Sequence, residues 1–349
     1  MIKKLICLLV FSVSLLFASD FQVGGYFPYW AQYSQFAPEN IRFNFITDVH
    51  YGYLIPSEDG SSLAFADESD IPNFEKLISL SKDNKVQISV IIGGSGNEEL
   101  MKTVASNESA RGAFANTAKE FVDKYGISKV EIDWLPIEQP DFLLFDTLIT
   151  SLNSVGISVS ATATGSVDAP ALYTAETLNK LSTIYVMLTD QMSESESVLI
   201  PNSNFKFAQE VLNAYTSAGV EGKKLVPVVP MYGKSFLNAT GLGTSHNGIG
   251  SGNEGIITYK ELMTKFDSPD YKVSFDESTQ SEVAVSATEA IVFNGIPSMK
   301  SLATFVKDQN LGGIAVFDIS GDDTHPIISL LVTIGQVLRP EIKYNTKKK

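Results

Sequence analysis

The stretch KVEIDWLPIEQPDF, residues 129–142, carries the acidic residues with the clearest chemical potential in the sequence. Glu131 and Asp133 alternate along an apolar run. Because successive side chains of a β-strand point to opposite faces, both carboxylates share one face. Leu135 falls on that face too, and it can neither donate nor accept a proton. The pair could orient a polar substrate, or it could be a buried polar pair that only supports the fold.

Other reaction chemistries lack their residues. The histidines His50, His246 and His325 are scattered and show no metal-ligand spacing, so we expect no metal site and no cofactor. GSGNEG at 250–255 has the glycine spacing of a dinucleotide loop, but no predicted strand precedes it. We interpret it as a loop. A GxSxG nucleophile motif is also missing from the sequence.

Short apolar runs alternate with helix-like stretches along most of the chain, which predicts parallel strands joined by helices. About eight such units favour an α/β TIM (β/α)8 barrel over a doubly wound open sheet, which normally uses fewer strands. Barrel enzymes carry their chemistry at the carboxyl ends of the strands. The predicted strands are residues 21–27, 46–54, 86–94, 129–135, 157–163, 184–188, 225–233 and 312–319.

The gap between the seventh and eighth predicted strands is too long for one crossover helix. It has room for a helix at GIITYKELMTKF and for extended segments at YKVSFDE, SEVAVSA and EAIVFNG. We predict a small strand-rich insertion at about residues 233–311, on the upper face of the barrel. Loops without a fold of their own are the alternative.

The first residues have the pattern of a cleaved secretory signal peptide, predicted at 1–19: two lysines, an apolar run and then small residues. Cys7, the single cysteine, lies in that run, so the predicted barrel at 20–340 and basic tail at 341–349 contain none. Export without disulfides suits a bacterial periplasm or exterior. The apolar run is short for a membrane span. The net charge of −14 argues against nucleic acid or an anionic membrane as partner.

Six segments at the predicted strand ends together resemble glycoside hydrolase family 18, the chitinase family. GYFPYWAQYS resembles its first strand, IIGGSG its third, and KVEIDWL its acidic fourth strand. MLTD, MYGKSF and GGIAVFDISGDD resemble the sixth, seventh and eighth strands. The resemblance extends over nearly the whole chain after the predicted signal peptide. It implies the barrel fold and a glycan containing N-acetylglucosamine as ligand.

In that family a glutamate on the fourth strand protonates the glycosidic oxygen. The substrate's own acetamido group attacks the anomeric carbon, so hydrolysis is substrate-assisted and retaining. The resemblance implies that Asp133 is the aspartate that orients the acetamido group. Glu131 replaces the middle aspartate, Ser128 the first, and Leu135 the catalytic glutamate. Loss of general acid catalysis costs about 10²–10⁴ in rate.

Further positions match the family only in part. Asp190 and Tyr232 keep the family's residues, while Thr189 replaces the sixth-strand tyrosine and Phe317 the eighth-strand tryptophan. Two first-strand aromatic residues, Trp30 and Tyr26, are also predicted to contact the sugar, although Tyr26 could equally be a core residue.

Three functional hypotheses follow. The first is a chitinase-like protein that binds N-acetylglucosamine-containing glycans without cleaving them. The second is an active glycosidase, of the chitinase or peptidoglycan type, that uses a displaced acid such as Glu138. The third is an interaction or inhibitor role on the same fold, whose protein partner the sequence does not identify.

Overall fold

The computed structural model describes residues 21–127 and 129–343. The predicted signal peptide, Ser128 and tail residues 344–349 lie outside the described residues. The strands are β1 (Gln22–Pro28), β2 (Asp48–Pro56), β3 (Leu63–Phe65), β4 (Gln87–Gly93), β5 (Lys129–Asp133), β6 (Ser158–Thr164), β7 (Thr183–Met187), β8 (Leu225–Pro230), β9 (Tyr232–Leu237), β10 (Ile256–Thr258), β11 (Lys272–Asp276), β12 (Ser281–Val285), β13 (Glu289–Phe293) and β14 (Gly313–Phe317). The helices are α1 (Ile71–Asn84), α2 (Glu98–Ser106), α3 (Glu108–Tyr125), α4 (Phe142–Ser154), α5 (Ala169–Tyr173), α6 (Ala175–Asn179), α7 (Phe205–Ser217), α8 (Tyr259–Lys265), α9 (Ile296–Asp308) and α10 (Leu330–Leu338).

Eight parallel strands of the described chain close into a barrel. Their order is β1-β2-β4-β5-β6-β7-β8-β14, and β14 pairs back onto β1. The short strand β3 adds to β2 in the antiparallel sense. Because the sheet closes on itself, the predicted TIM barrel is confirmed and the open-sheet alternative is wrong.

The helices pack on the outside of the barrel and bury the outward-facing strand residues. On β5 and just beyond it, Val130, Ile132 and Trp134 belong to this outer core, as the alternation predicted. Helix α3 illustrates how local sequence sets an element. Asn107 begins it by accepting a hydrogen bond from the Ala110 backbone N–H, and a left-handed glycine follows its last residue. In the part of the chain that the structure describes, none of the helices is long and apolar enough to span a membrane.

Strand β5 is shorter than predicted. The predicted strand runs to residue 135, whereas pairing ends where Asp133 lies beside Gly93 of β4. Two residues later comes Pro136, which lacks a backbone N–H and cannot continue a hydrogen-bonded ladder. The chain therefore leaves the sheet at Asp133, and Leu135 begins the loop at the barrel mouth.

The predicted insertion between the seventh and eighth barrel strands forms a five-stranded antiparallel sheet. Its strand order is β10-β9-β13-β12-β11, and helix α8 lies between β10 and β11. Strand β9 starts two residues after β8 ends, so the sheet rises from the carboxyl-terminal end of the barrel. Loops without a fold are therefore excluded for this segment.

Glu289 anchors this sheet from within, with only 4% of its surface exposed. Its carboxylate accepts hydrogen bonds from Ser235 Oγ at 2.6 Å, from the Ser251 backbone N–H and Oγ, each at 2.8 Å, and from the Tyr271 hydroxyl. Lys265 Nζ lies 3.2 Å away. Although burial opposes ionisation, these hydrogen bonds lower the pKa of Glu289 to about 2.

The GSGNEG segment is a loop, as interpreted from the sequence, and it belongs to this anchor. A Cβ at Gly250 would lie 2.2 Å from Ser235 Oγ, so only glycine allows the loop to approach Glu289 so closely.

Replacing Glu289 by glutamine should destabilise the protein by about 1–3 kcal/mol at pH 7, because buried hydrogen-bonding groups lose their charged acceptor. The depressed pKa means that this stabilisation is complete above about pH 4.5 and declines as the pH falls towards 2. Urea unfolding of Glu289→Gln at pH 7 and pH 3 measures the difference, with the exposed Glu277→Gln as control. A penalty that stays constant between the two pH values would contradict this account.

Candidate functional site

Asp133 lies at the centre of the barrel mouth, where β5 ends. Thr162 Oγ1 on β6 donates a hydrogen bond of 2.7 Å to its carboxylate, and the Tyr53 hydroxyl donates another. Burial, reinforced by the negative charge of Glu131, raises the pKa of Asp133 to about 6 in spite of these hydrogen bonds. The carboxyl group therefore changes its charge close to neutral pH.

Glu131 lies one layer deeper in the barrel. It accepts a hydrogen bond of 2.5 Å from the Tyr26 hydroxyl, and its other oxygen lies 2.8 Å from His50 Nδ1. Ser89 Oγ is also 2.8 Å from that nitrogen. Glu131 is completely buried and Tyr26 is 2% exposed. In this structure both residues support the site from below and do not line the open cleft.

His50 thus has a place in the barrel core, stacked on Tyr26 at a ring distance of 4.9 Å. Within the described residues, no group of three or more His, Cys, Asp or Glu side chains is placed to hold a metal ion.

Aromatic rings form one side of the mouth. Trp30, just after β1, is 37% exposed and stacks on Tyr53 at a ring distance of 5.9 Å. Phe317, at the end of β14, lies 6.4 Å from Trp30 and is half-buried. The close approach of Tyr53 requires glycine at position 94, since a Cβ there would lie 2.7 Å from the ring. The apolar faces of Trp30 and Phe317 suit a flat, partly apolar ligand such as a sugar ring.

Asp190 and Tyr232 form the opposite side. The Tyr232 hydroxyl donates to Asp190 Oδ2 at 2.7 Å, and Lys234 Nζ lies 2.6 Å from Asp190 Oδ1. Thr189 reaches the Tyr232 hydroxyl as well. Burial, together with the Asp190 charge, raises the pKa of Tyr232 above its ordinary value. Tyr232 therefore stays a neutral hydrogen-bonding group, while Asp190 shares its charge with Lys234.

Leu135 is half-buried and forms part of the wall of a cavity beside these residues. The cavity measures about 1180 Å³ and opens to solvent. Glu138, the predicted displaced acid, is exposed and does not line this cavity. It lies within electrostatic range of Lys102 on α2, which pairs with Asp141.

Sequence reasoning missed Tyr53, Thr162 and Lys234. Strict alternation places Tyr53 on the same face as Tyr51, which packs against the helices. The ladder between β2 and β4 shifts register between Gly52 and Leu54, and Tyr53 joins the cluster inside the barrel. A bulge of this kind re-aims a side chain. The one available signal was the tyrosine within YGYL at a predicted strand end.

The sequence profile of glycosyl hydrolases family 18 matches residues 22–322 of this chain. Probable chitinase 10 of Drosophila melanogaster is 25% identical over 92% of this chain, which spans 16% of that longer protein. The group IV chitinase of Ostrinia furnacalis has a similar structure, with a TM-score of 0.85 and 23% identity over 91% of this chain and 100% of that one. Human YKL-39, described as a pseudo-chitinase with retained chitooligosaccharide binding, has a TM-score of 0.84 and 20% identity over 91% and 99% of the two chains.

Asp133→Asn should stabilise the protein at pH 7.5 by up to about 3 kcal/mol, the free energy equivalent of raising the pKa from 3.8 to about 6. A raised pKa means that stability is greatest below pH 3.8 and is lost as the pH rises through 6, when the buried carboxyl ionises. The gain should therefore vanish at pH 3.5. Urea unfolding at both pH values, with the exposed Asp83→Asn as control, makes the comparison. Destabilisation of equal size at both would show that the charge of Asp133 costs nothing.

Proposed function

The chain belongs to glycosyl hydrolases family 18, and on this premise we propose that it binds N-acetylglucosamine-containing glycans at the barrel mouth without cleaving them. The observation that carries the proposal is the contrast between Leu135 and Asp133. The acid position is filled by a hydrocarbon at the mouth, while the neighbouring carboxylate keeps an organised set of hydrogen-bond partners.

Each surviving group has a binding task that needs no proton transfer. The aromatic faces of Trp30 and Phe317 stack on the sugar ring. Asp133 accepts a hydrogen bond from the acetamido N–H, and Asp190 and Tyr232 reach the remaining polar groups. Since Phe317 offers a smaller face than a tryptophan, we expect modest affinity. Among proteins of similar structure, human YKL-39 is described with this combination of binding and inactivity, which supports the proposal.

Hydrolysis would require a proton donor that reaches the glycosidic oxygen. Leu135 cannot serve, and general acid catalysis contributes about 10²–10⁴ in rate. Glu138 is the acid that follows it in the same loop, but its exposed position near Lys102 lies outside the cavity lining. We therefore favour binding over the displaced-acid hypothesis. We also infer export through the predicted signal peptide, to the periplasm or the exterior, where such glycans occur.

Calorimetry with chitotetraose should give a dissociation constant in the micromolar to millimolar range, about −8 to −4 kcal/mol. Asp133→Ala should weaken binding of chitotetraose at least tenfold and of cellotetraose much less, because the partner of Asp133 is the acetamido group. Glu138→Gln is the control, since it lies in the same loop but outside the cleft. Equal losses for both sugars would remove the acetamido role of Asp133. Absence of binding by the native protein would favour an interaction with a protein partner.

The native protein should not release chromophore from N-acetylglucosamine dimers or trimers above the buffer rate. Leu135→Glu should restore slight turnover, and Leu135→Glu combined with Thr189→Tyr should exceed it, because catalytic groups that act as a unit are not additive. Turnover by the native protein that disappears in Glu138→Gln would establish the displaced acid instead. Robust turnover by Leu135→Glu alone would show that Thr189 does not limit activity.

A further inference from the structure

The cavity beside Leu135 differs in character from the polar cleft over Asp133. We propose that this side cavity binds an uncharged alkyl or acyl chain carried on the glycan. The inference rests on the proposed glycan binding and adds the chemical class of the group attached to the sugar. It is argued from the cavity's size, lining, hydrogen bonding and charge.

The side cavity is large and its walls are mostly hydrocarbon. Its volume of about 1180 Å³ exceeds the usual range of roughly 300–1,000 Å³ for small-molecule sites. It is continuous with the cleft, because Thr189 and Asp190 belong to both. The apolar walls come from three loops at the barrel mouth and from helix α7. They comprise Leu135, Pro136, Met187, Ile200, Pro201 and Phe207.

The polar groups in the lining are already engaged within the protein. Asp190 binds Tyr232 and Lys234, and Asn204 Oδ1 accepts from the first backbone N–H groups of α7. Gln191 Oε1 accepts from the Asn204 backbone N–H at 3.0 Å. A sugar ring placed here would exchange its hydrogen bonds with water for contacts with hydrocarbon, which is unfavourable. An alkyl chain loses no hydrogen bonds and gains the burial of its surface.

Charge narrows the occupant further. The described lining residues include no lysine, arginine or histidine, and Asp190 is the acid among them. A free fatty acid or a phosphorylated chain would bring a second negative charge into this apolar space without a cation to pair with it. The chain must therefore be neutral. This agrees with the net charge of −14, which repels anionic ligands in general.

The position of Leu135 places the chain relative to the sugar. By resemblance to the family, Leu135 occupies the place of the acid that protonates the leaving-group oxygen, so the side cavity lies on the aglycone side. Gln191 Nε2 is buried at its edge and has no hydrogen-bond partner among the described residues. This donor suits the oxygen that links the chain to the sugar.

The test is calorimetry of the native protein with methyl, butyl and octyl β-glycosides of N,N′-diacetylchitobiose, each below its micelle concentration. Because each methylene that is fully buried contributes up to about fourfold in affinity, octyl should bind at least thirtyfold more tightly than methyl. Octyl maltoside, which has the same chain on a sugar without acetamido groups, should bind at least tenfold more weakly than the octyl chitobioside.

A pair of variants on one helix locates the chain. Phe207→Ser, in the lining, should reduce the octyl-to-methyl affinity ratio at least fivefold. Phe205→Ser should keep the ratio, because Phe205 packs against Phe305 at a ring distance of 6.0 Å and lines a different groove. If Phe207→Ser fails to fold, Ile200→Thr in the loop before α7 carries the same expectation.

The outcomes separate this inference from the proposed function. Equal affinities for the methyl and octyl chitobiosides would overturn the side-cavity assignment and leave glycan binding in place. A ratio that falls equally in Phe205→Ser and Phe207→Ser would also overturn it. If octyl maltoside binds as tightly as octyl chitobioside, the chain does not depend on the glycan and the inference fails. Absence of methyl chitobioside binding would count against the proposed function itself.

Discussion

Two carboxyl groups inside one barrel are the constraint around which the site is built. An ionised carboxyl in a protein interior is costly unless hydrogen bonds or opposite charge compensate it. Glu131 meets this requirement through Tyr26 and His50, and Asp133 through Thr162 and Tyr53. These partners come from the first, second and fifth barrel strands. Only a closed barrel brings them around the fourth.

The compensation is complete for Glu131 and incomplete for Asp133. Glu131 is enclosed, with both oxygens engaged, whereas Asp133 keeps a raised pKa because burial and the charge of Glu131 outweigh its hydrogen bonds. Such strain is common at functional sites, where binding matters more than stability. A structural pair would be expected to resemble Glu131, so the state of Asp133 favours a ligand-binding role for that residue.

The insertion sheet supplies the second wall of the mouth and ties it to the barrel. Strand β9 carries Tyr232 and Lys234, which hold Asp190, and the same strand contributes Ser235 to the buried anchor around Glu289. The turn between β11 and β12 reaches the side cavity at Thr279. The cleft and its apolar extension therefore depend on packing between the insertion and the barrel, and loss of the proton donor leaves that packing intact.

The sequence alone determined the barrel, the place of the insertion and the shared face of Glu131 and Asp133, because each follows from hydrophobic period and segment length, which are local. It also showed that position 135 holds no acid. It could not decide whether Tyr26 lines the cleft or lies beneath it, because that depends on how deeply the ring enters a closed barrel. Tertiary structure decided this, and it paired Asp190 with Lys234. It also turned Tyr53 inward through a register shift, which a period of two cannot reveal because the shift depends on pairing with β4.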